Sequence, residues 1–332
     1  MNRKTANQSV VLVTGASGYV GRQVIEELAR ERGPLGGIMA LDIRPLRAED
    51  LPPGVEFLTA DIRSPDLTEI FQAKKPAIVV HLASIVTPGK KLDRAFEYAV
   101  DVLGTENVLR SSIQAGVDKV IVTSSGAAYG YHPDNPNPIE ETDALRGNPE
   151  FAYSDHKRRI EEILARYREE NPRLKQLVFR PGTILGETAS NQITALFDKR
   201  VLMGLMGAAS PFVFIWDKDV VACILKGIRE DFTGIYNLAG DGTLTMKELA
   251  RRLGKPYVPL PVWLVRFSLH ILRKLNLTRY GPEQVDFLRY RPVLGNQKLK
   301  EEFGYLPRKT TREVFDLFMK NRSHGRKTNI QE

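Results

Sequence analysis

Tyr153 and Lys157 stand four residues apart in Tyr153-Ser154-Asp155-His156-Lys157, so on a helix they share a face. A phenol with a reference pKa of about 10 is a poor base at neutral pH. An ammonium beside it favours the phenolate and brings proton exchange toward physiological pH. Ser125, in Val122-Thr123-Ser124-Ser125-Gly126, is the expected third member. Its hydroxyl can bond a carbonyl or alcohol oxygen, and the small Gly126 and Ala127 leave room beside it. A Tyr-x-x-x-Lys pair alone is common on solvated helices. Its meaning comes from the motifs that precede it.

The first of these is Val10-Val11-Leu12-Val13-Thr14-Gly15-Ala16-Ser17-Gly18-Tyr19-Val20-Gly21, an apolar strand running into a glycine-patterned turn. A helical run, Arg22 to Arg30, follows. Glycines at 15, 18 and 21 let the backbone turn sharply, approach a ligand and pack closely on the strand. The helix N-terminus then presents open N–H groups and a positive dipole end to a pyrophosphate. Asp42 closes the next strand, 21 residues beyond Gly21. A carboxylate there can accept both ribose hydroxyls of an adenosine and repels a 2′-phosphate. The plain alternative is a tight turn followed by an ordinary exposed Asp.

The elements that must position these groups follow from hydrophobic patterning. Strands are predicted at 10–14, 37–42, 55–59, 77–82, 119–124 and 175–180, with helices at 20–31, 66–73, 92–115 and 150–170. This alternation reads as βαβ units: an α/β fold with a doubly wound parallel sheet. The chemistry-bearing residues fall at the carboxyl ends of its strands, where such sheets bind ligands. Beyond residue 182, strands are predicted at 212–215 and 234–238, and helices at 245–253, 261–275, 281–289, 296–303 and 311–320. Prolines at 256, 259, 261, 282, 292 and 307 keep those helices short. The expected domains are therefore 1–182 for dinucleotide binding, with 211–240 returning to it. Residues 183–210 and 241–322 would form a smaller, mostly helical substrate lobe, and 323–332 a mobile tail. The polar first eight residues are also expected to be mobile.

Composition excludes several classes. The 332 residues, with 42% hydrophobic and 27% charged, suit a globular chain able to bury a large core. No 18-residue apolar run is present and no apolar leader precedes the first strand, so a cytoplasmic protein is expected. Cys223 is the one cysteine and is expected to pack in a core. The net charge of +8 comes with no nucleic-acid-binding signature, so no nucleic-acid partner is expected. The histidines at 81, 132, 156, 270 and 324 lack metal-ligand spacing, and no metal is expected. His156 points off the face shared by Tyr153 and Lys157.

Taken together, the motifs resemble the extended short-chain dehydrogenase/reductase superfamily, of the NAD-dependent epimerase/dehydratase type, with similarity to 3β-hydroxysteroid dehydrogenase-like members. The residues carrying the resemblance are Thr14 to Gly21, Asp42, Asp61-Ile62, His81-Leu82-Ala83-Ser84 and Gly104-Thr105-Glu106-Asn107-Val108-Leu109. It continues through Thr123 to Gly130, Tyr153 with Lys157, and Arg180-Pro181-Gly182. The likeness spans roughly residues 9–240 and is weaker beyond. It implies a Rossmann-type fold in which Gly15, Ser17, Gly18, Tyr19, Val20 and Gly21 hold the pyrophosphate of NAD. Asp42 would hold the adenosine ribose, Asp61 and Ile62 would lie against adenine, and Leu82, Ala83 and Ser84 would line the cofactor channel. Tyr153 would be the acid/base, Lys157 would also bond the nicotinamide ribose, Ser125 would polarise the substrate oxygen, and Pro181 would approach the nicotinamide end. Two departures stand out. Asp101 occupies a position where many relatives have Asn. Arg44, two residues past Asp42, offers a route to NADP, although NAD is favoured.

The implied activity is an NAD-dependent oxidoreductase exchanging hydride with a secondary alcohol or ketone. An alternative is a nucleotide-sugar epimerase or dehydratase using tightly bound NAD. Another, of a different class, is a non-catalytic dinucleotide-binding sensor or structural protein. The partners expected are a small-molecule substrate and a second copy in a homodimer. Two substrate branches stay open. The stretch Ser210 to Asp219 lacks the phosphate-clamping Arg of nucleotide-sugar enzymes, and Trp216 replaces their His, while Arg291 remains a candidate clamp. An apolar substrate is favoured by Leu196, Phe197, Val201, Leu202, Met203, Leu205, Met206, Phe212, Phe214 and Trp216, which suit either an apolar pocket or a lobe core. Finally, Pro261 to Tyr280 mixes Trp263 and many aliphatics with basic residues. It reads as a lobe helix or as a peripheral membrane contact.

Overall fold

Val11, Leu12 and Val13 have no exposed surface at all, as a strand covered on both faces requires. The structure is a computed structural model that describes residues 9–86, 93–275, 277–278 and 281–328. Strands β1 (Ser9–Thr14), β2 (Leu35–Asp42), β3 (Val55–Thr59), β4 (Ile78–His81), β5 (Lys119–Thr123), β6 (Lys175–Pro181) and β11 (Gly234–Leu238) form a seven-stranded sheet. Its order is β11-β6-β5-β4-β1-β2-β3, and the pairs from β3 through β6 are parallel. The order reverses between β1 and β4, which is the Rossmann-type doubly wound α/β arrangement with its switch point beside the glycine turn.

Helix α1 (Tyr19–Arg30) buries Gly21, Val24, Ile25 and Leu28, one stripe at helical spacing. Helices α2 (Leu67–Lys74), α3 (Arg94–Tyr98), α4 (Gly104–Gln114) and α5 (Ala152–Glu170) complete the crossovers. Leu12, Leu41, Phe71, Val79, Val120, Leu164 and Val178 share one core. Each such side chain contributes about 1.5–3 kcal/mol on burial. The region expected as one helix over 92–115 is helical without interruption from Arg94 to Gln114, with a π-helical turn at Ala99–Leu103 between α3 and α4. Asp101 sits in that turn and is 1% exposed.

By contacts the chain divides into two units. The first comprises residues up to Ser125 with His156–Arg180 and Lys218–Tyr236; the second comprises Gly126–Asp155, Pro181–Asp217 and the chain from Asn237. The division expected at residue 182 differs from this one. Residues 126–155 join the second unit because Tyr129 and Ile139 pack with Val213, Ala239 and Leu294. The returning segment is also shorter than 211–240 and begins inside α7 (Asp217–Arg229). Cys223, on α7, is buried as expected of a small core residue.

The second unit holds three two-stranded sheets. They pair β10 (Phe214–Trp216) with β7 (Thr183–Leu185), β12 (Leu244–Thr245) with β9 (Pro211–Phe212), and β13 (Tyr257–Leu260) with β8 (Leu202–Leu205). Helices α6 (Gln192–Phe197), α8 (Met246–Arg252), α9 (Val262–Lys274), α10 (Gln284–Arg289), α11 (Gln297–Glu301) and α12 (Thr311–Thr328) surround them. Helix α8 opens with a reciprocal cap: Thr245 accepts from the Glu248 N–H and Glu248 accepts from the Thr245 N–H. Helix α12 runs to Thr328, past residue 323 where a mobile tail was expected, because no proline interrupts it. The expectations for residues 1–8 and 329–332 lie outside the described residues.

Candidate functional site

In the first unit, the turn after β1 has no space for side chains. Gly15 sits at φ 70°, and a Cβ there would stand 2.5 Å from the Ala83 nitrogen. A Cβ on Gly21 would stand 2.2 Å from the Gly15 carbonyl oxygen. Gly18 caps α1 without a side-chain hydrogen bond, and the first turn, beginning with Tyr19 and Val20, carries no acidic residue. No acidic side chain of that turn competes for the helix N-terminus, which fits a pyrophosphate.

Asp42 is held where the turn can reach it. Its carboxylate accepts from the Ser17 N–H at 3.1 Å and the Arg44 N–H at 3.0 Å, and the Ser17 hydroxyl donates to the Arg44 carbonyl. The Arg44 side chain is largely exposed, with Nε 3.6 Å from Asp42. The fixed negative charge favours ribose hydroxyls over a 2′-phosphate. Asp42→Ala is expected to remove charge-assisted hydrogen bonds of about 1.5–3 kcal/mol, weakening NAD roughly 10- to 100-fold. It should also narrow the preference for NAD over NADP, which parallel titration calorimetry with the two cofactors measures.

Asp61 forms a bidentate pair with Arg63, down to 2.6 Å, which together with backbone bonding to Arg63 holds its pKa below the usual carboxylate range against partial burial. Ile62 is buried under Gly104, where a Cβ would meet it at 2.6 Å. Leu82 and Ala83 stay partly exposed at the end of β4. Ser84 lies beside them, but its hydroxyl donates to Asp101.

A buried polar layer lies behind these residues. The Thr105 hydroxyl donates to the Asp101 carbonyl, so it accepts from His81 Nε2, and His81 Nδ1 accepts from the Thr14 hydroxyl at 2.7 Å. His81 is therefore neutral; burial, helped by the charge of Lys157, pushes its pKa down to about 3. The Asp101 carboxylate accepts from the Ser84 hydroxyl, the Ile85 N–H and His156 Nδ1, at 3.0, 2.8 and 3.3 Å. Burial opposes its charge, but the His156 hydrogen bond, the Lys157 ammonium and these donors hold its pKa below the ordinary value. Tyr98 meets the His156 ring edge-on. His156 thus lies off the Tyr153–Lys157 face, as its place in the helix requires. Its pairing with Asp101, across 55 positions, has no sequence signal beyond the unusual Asp101.

Lys157 is buried on α5 and its Nζ donates to the Thr123 carbonyl at 3.4 Å. Ser125, also buried, follows the end of β5. Among the described residues, the neighbouring buried hydroxyls of Thr123 and Ser124 have no hydrogen-bond partner.

In the second unit, Tyr153 occupies the first turn of α5 and stays partly exposed. It begins a chain of aromatic contacts: Tyr153 to Phe151 at 6.3 Å between ring centres, then Phe151 to Phe287 at 4.9 Å. Arg291 lies over Phe287 at 5.1 Å and over Phe212 at 4.1 Å. Its Nη2 reaches the Thr183 hydroxyl at 3.4 Å, while Nη1 is buried with no partner. Among the described residues no carboxylate pairs with it. Burial lowers its pKa from the ordinary value, with Tyr131 opposing. Pro181 is buried at the end of β6.

The residues proposed for an apolar pocket divide otherwise. Phe197, Phe212 and Phe214 pack with Phe315 as core, with Leu202 and Leu205 also buried, whereas Val201, Met203 and Met206 are exposed. Trp216 lies under the cations Lys309 and Arg308, at 4.8 and 5.8 Å. No group of three or more potential metal ligands occurs among the described residues.

Comparison with known proteins agrees with this geometry. The model of the NAD dependent epimerase/dehydratase family matches residues 11–239. An uncharacterized protein of Mycobacterium tuberculosis is 25% identical over 318 residues, covering 94% of this chain and 84% of that protein. A UDP-glucose 4-epimerase of Mycolicibacterium smegmatis is 33% identical over 165 residues, 47% of this chain and 50% of its own. Among solved structures, Thermus thermophilus UDP-glucose 4-epimerase in complex with NAD aligns with TM-score 0.69 at 25% identity, over 93% of this chain and 99% of that one. The Thermotoga maritima UDP-glucose 4-epimerase with UDP-glucose gives TM-score 0.72 at 22% identity, over 95% and 99%. With a family match across most of its length, on a chain that carries the glycine turn and Asp42 beside it, this protein belongs to the NAD-dependent epimerase/dehydratase family of the extended short-chain dehydrogenase/reductases.

Proposed function

We propose that the protein is an NAD-dependent enzyme acting on a secondary alcohol of a phosphate-bearing, nucleotide-linked substrate, as an epimerase or dehydratase does. The observation that carries this reading is Arg291. This guanidinium lies over Phe212 and Phe287, and its buried Nη1 has no partner among the described residues. Such a group is costly unless a ligand supplies the anion, and a planar fork suits a phosphate. A substrate without negative charge would leave it uncompensated. The structural relatives solved with UDP-glucose or NAD support the same class.

NAD would rest on Gly15, Ser17, Gly18 and Gly21, with its ribose at Asp42, and would supply reversible hydride acceptance. Tyr153 would take the proton of the substrate hydroxyl at its phenol oxygen. Lys157 would bond the nicotinamide ribose. Ser125 would donate to the same substrate oxygen and stabilise charge there. In an epimerase, Tyr153 returns the proton after the ketone has been reduced on its other face, so no NADH accumulates.

Titration with UDP tests the substrate class. Saturable binding is expected, and Arg291→Ala should weaken it about 10- to 100-fold while NAD binding is unchanged. Absorbance at 340 nm with candidate nucleotide sugars separates net oxidation, which raises the signal, from epimerisation, which leaves it flat. Absence of UDP binding, together with NADH formation from an uncharged apolar alcohol, would instead support the free oxidoreductase reading.

A further inference from the structure

Helix α9 buries none of its residues. Trp263, Phe267, Ile271 and Leu275 recur every fourth position, which places them in one row along the helix. They are 70%, 59%, 40% and 61% exposed. Leu264 and Leu272 lie beside that row and are also exposed. The surface does not end with the helix. Strand β13 leads into it through Pro261 and pairs with β8, Val258 opposite Met203, and Val201, Met203, Met206 and Val258 are exposed as well. Single exposed apolar residues are ordinary, but an array of this extent is not.

The segment that carries this surface has charge of one sign in sequence. Residues 249–275 contain six Lys or Arg and no Asp or Glu. Two of these cations fix the helix from the side: Arg266 pairs with Asp286 at 2.8 Å and Arg273 with Glu283 at 3.0 Å. These pairs hold α9 to α10 and leave the Trp263 row facing outward. Lys274, at the end of α9, and Arg200, just before β8, form no ion pair among the described residues. Among those residues, no helix is long and apolar enough to cross a membrane.

We propose that α9 and the edge formed by β8 and β13 make a docking surface for an anionic lipid bilayer, with Trp263 and Phe267 entering the headgroup boundary. A 13-residue helix is about 20 Å long, enough to lie along the interface. Apolar burial supplies the attraction, and Lys274 and Arg200 add an electrostatic part that requires anionic headgroups. A second copy of the chain is a poorer occupant. A self-complementary interface sets the same patch against itself, and here cations would face cations with no acid within 249–275 to meet them.

Vesicle sedimentation with the full-length, NAD-loaded protein tests this. Binding is expected to vesicles of phosphatidylcholine mixed with phosphatidylglycerol and should weaken with added salt. In a Trp216→Phe background, Trp263 is the remaining tryptophan, and its emission should shift to the blue on binding. The double variant Trp263→Asp/Phe267→Asp should lose at least about tenfold in partitioning, with NAD affinity and circular dichroism unchanged. No binding by the native protein, equal binding to pure phosphatidylcholine, or undiminished binding by the double variant would each overturn the proposal. A native dimer that ignores vesicles and dissociates in the double variant would assign the surface to a second copy.

Discussion

Tyr153→Phe should lower turnover by about 10²- to 10⁴-fold while leaving NAD affinity unchanged. That range is what a positioned acid/base contributes to a proton transfer. The substitution deletes one oxygen and retains the ring that packs on Phe151, so the fold should persist. The two readouts must separate: calorimetry should report native NAD affinity, and the assay should report the loss. Lys157→Met should also reduce turnover, and because Lys157 is assigned to the nicotinamide ribose as well, it should weaken NAD. A fully active Tyr153→Phe protein would remove Tyr153 from the mechanism and would favour a non-catalytic dinucleotide-binding role.

Glu161→Gln should destabilise the first unit by about 3–5 kcal/mol, as expected when one partner of a buried ion pair is removed. Glu161, on α5, and Arg180, on β6, form two hydrogen bonds of 2.8 and 3.0 Å and are 2% and 4% exposed at the side chain. The pair ties the helix bearing Lys157 to β6, the second strand from one edge of the sheet. Neutralising Glu161 removes the carboxylate that accepts these two bonds from the buried Arg180 guanidinium. The double variant Glu161→Leu/Arg180→Met should recover part of the lost stability, because neither half of this ion pair is then left buried alone. Denaturant midpoints of the three proteins check this. Equal midpoints for Glu161→Gln and the native protein would mean that solvent reaches Arg180.

The glycine turn, Asp42 and the succession of strands and helices in the first unit were legible because each is encoded locally. A φ of 70° at Gly15 and a Cβ-free approach at Gly21 are demands that a short sequence window carries. The apolar stripe of α1 likewise follows from its periodicity. The site around Asp101 was not legible in this way. Its three donors come from Ser84, Ile85 and His156, and it sits in a π-helical turn within the helix. The departure from the family pattern at 101 was visible, but its partner was not.

The same distinction applies to the apolar residues of the second unit. Phe197, Phe212 and Phe214 became core, Met203 and Met206 became surface, and hydrophobicity is similar across the set. Periodicity marks which side of an element is apolar; what covers that side depends on segments far away in the chain. Thus the sequence alone determined a Rossmann-type sheet, a dinucleotide turn and a Tyr-x-x-x-Lys helix, since backbone sterics and local patterning fix them. Tertiary structure decided that Arg291 has a buried guanidinium nitrogen with no carboxylate partner among the described residues and that α9 keeps its apolar row in solvent. Both outcomes depend on which distant residues arrive to desolvate or cover a group, and no local window contains that information.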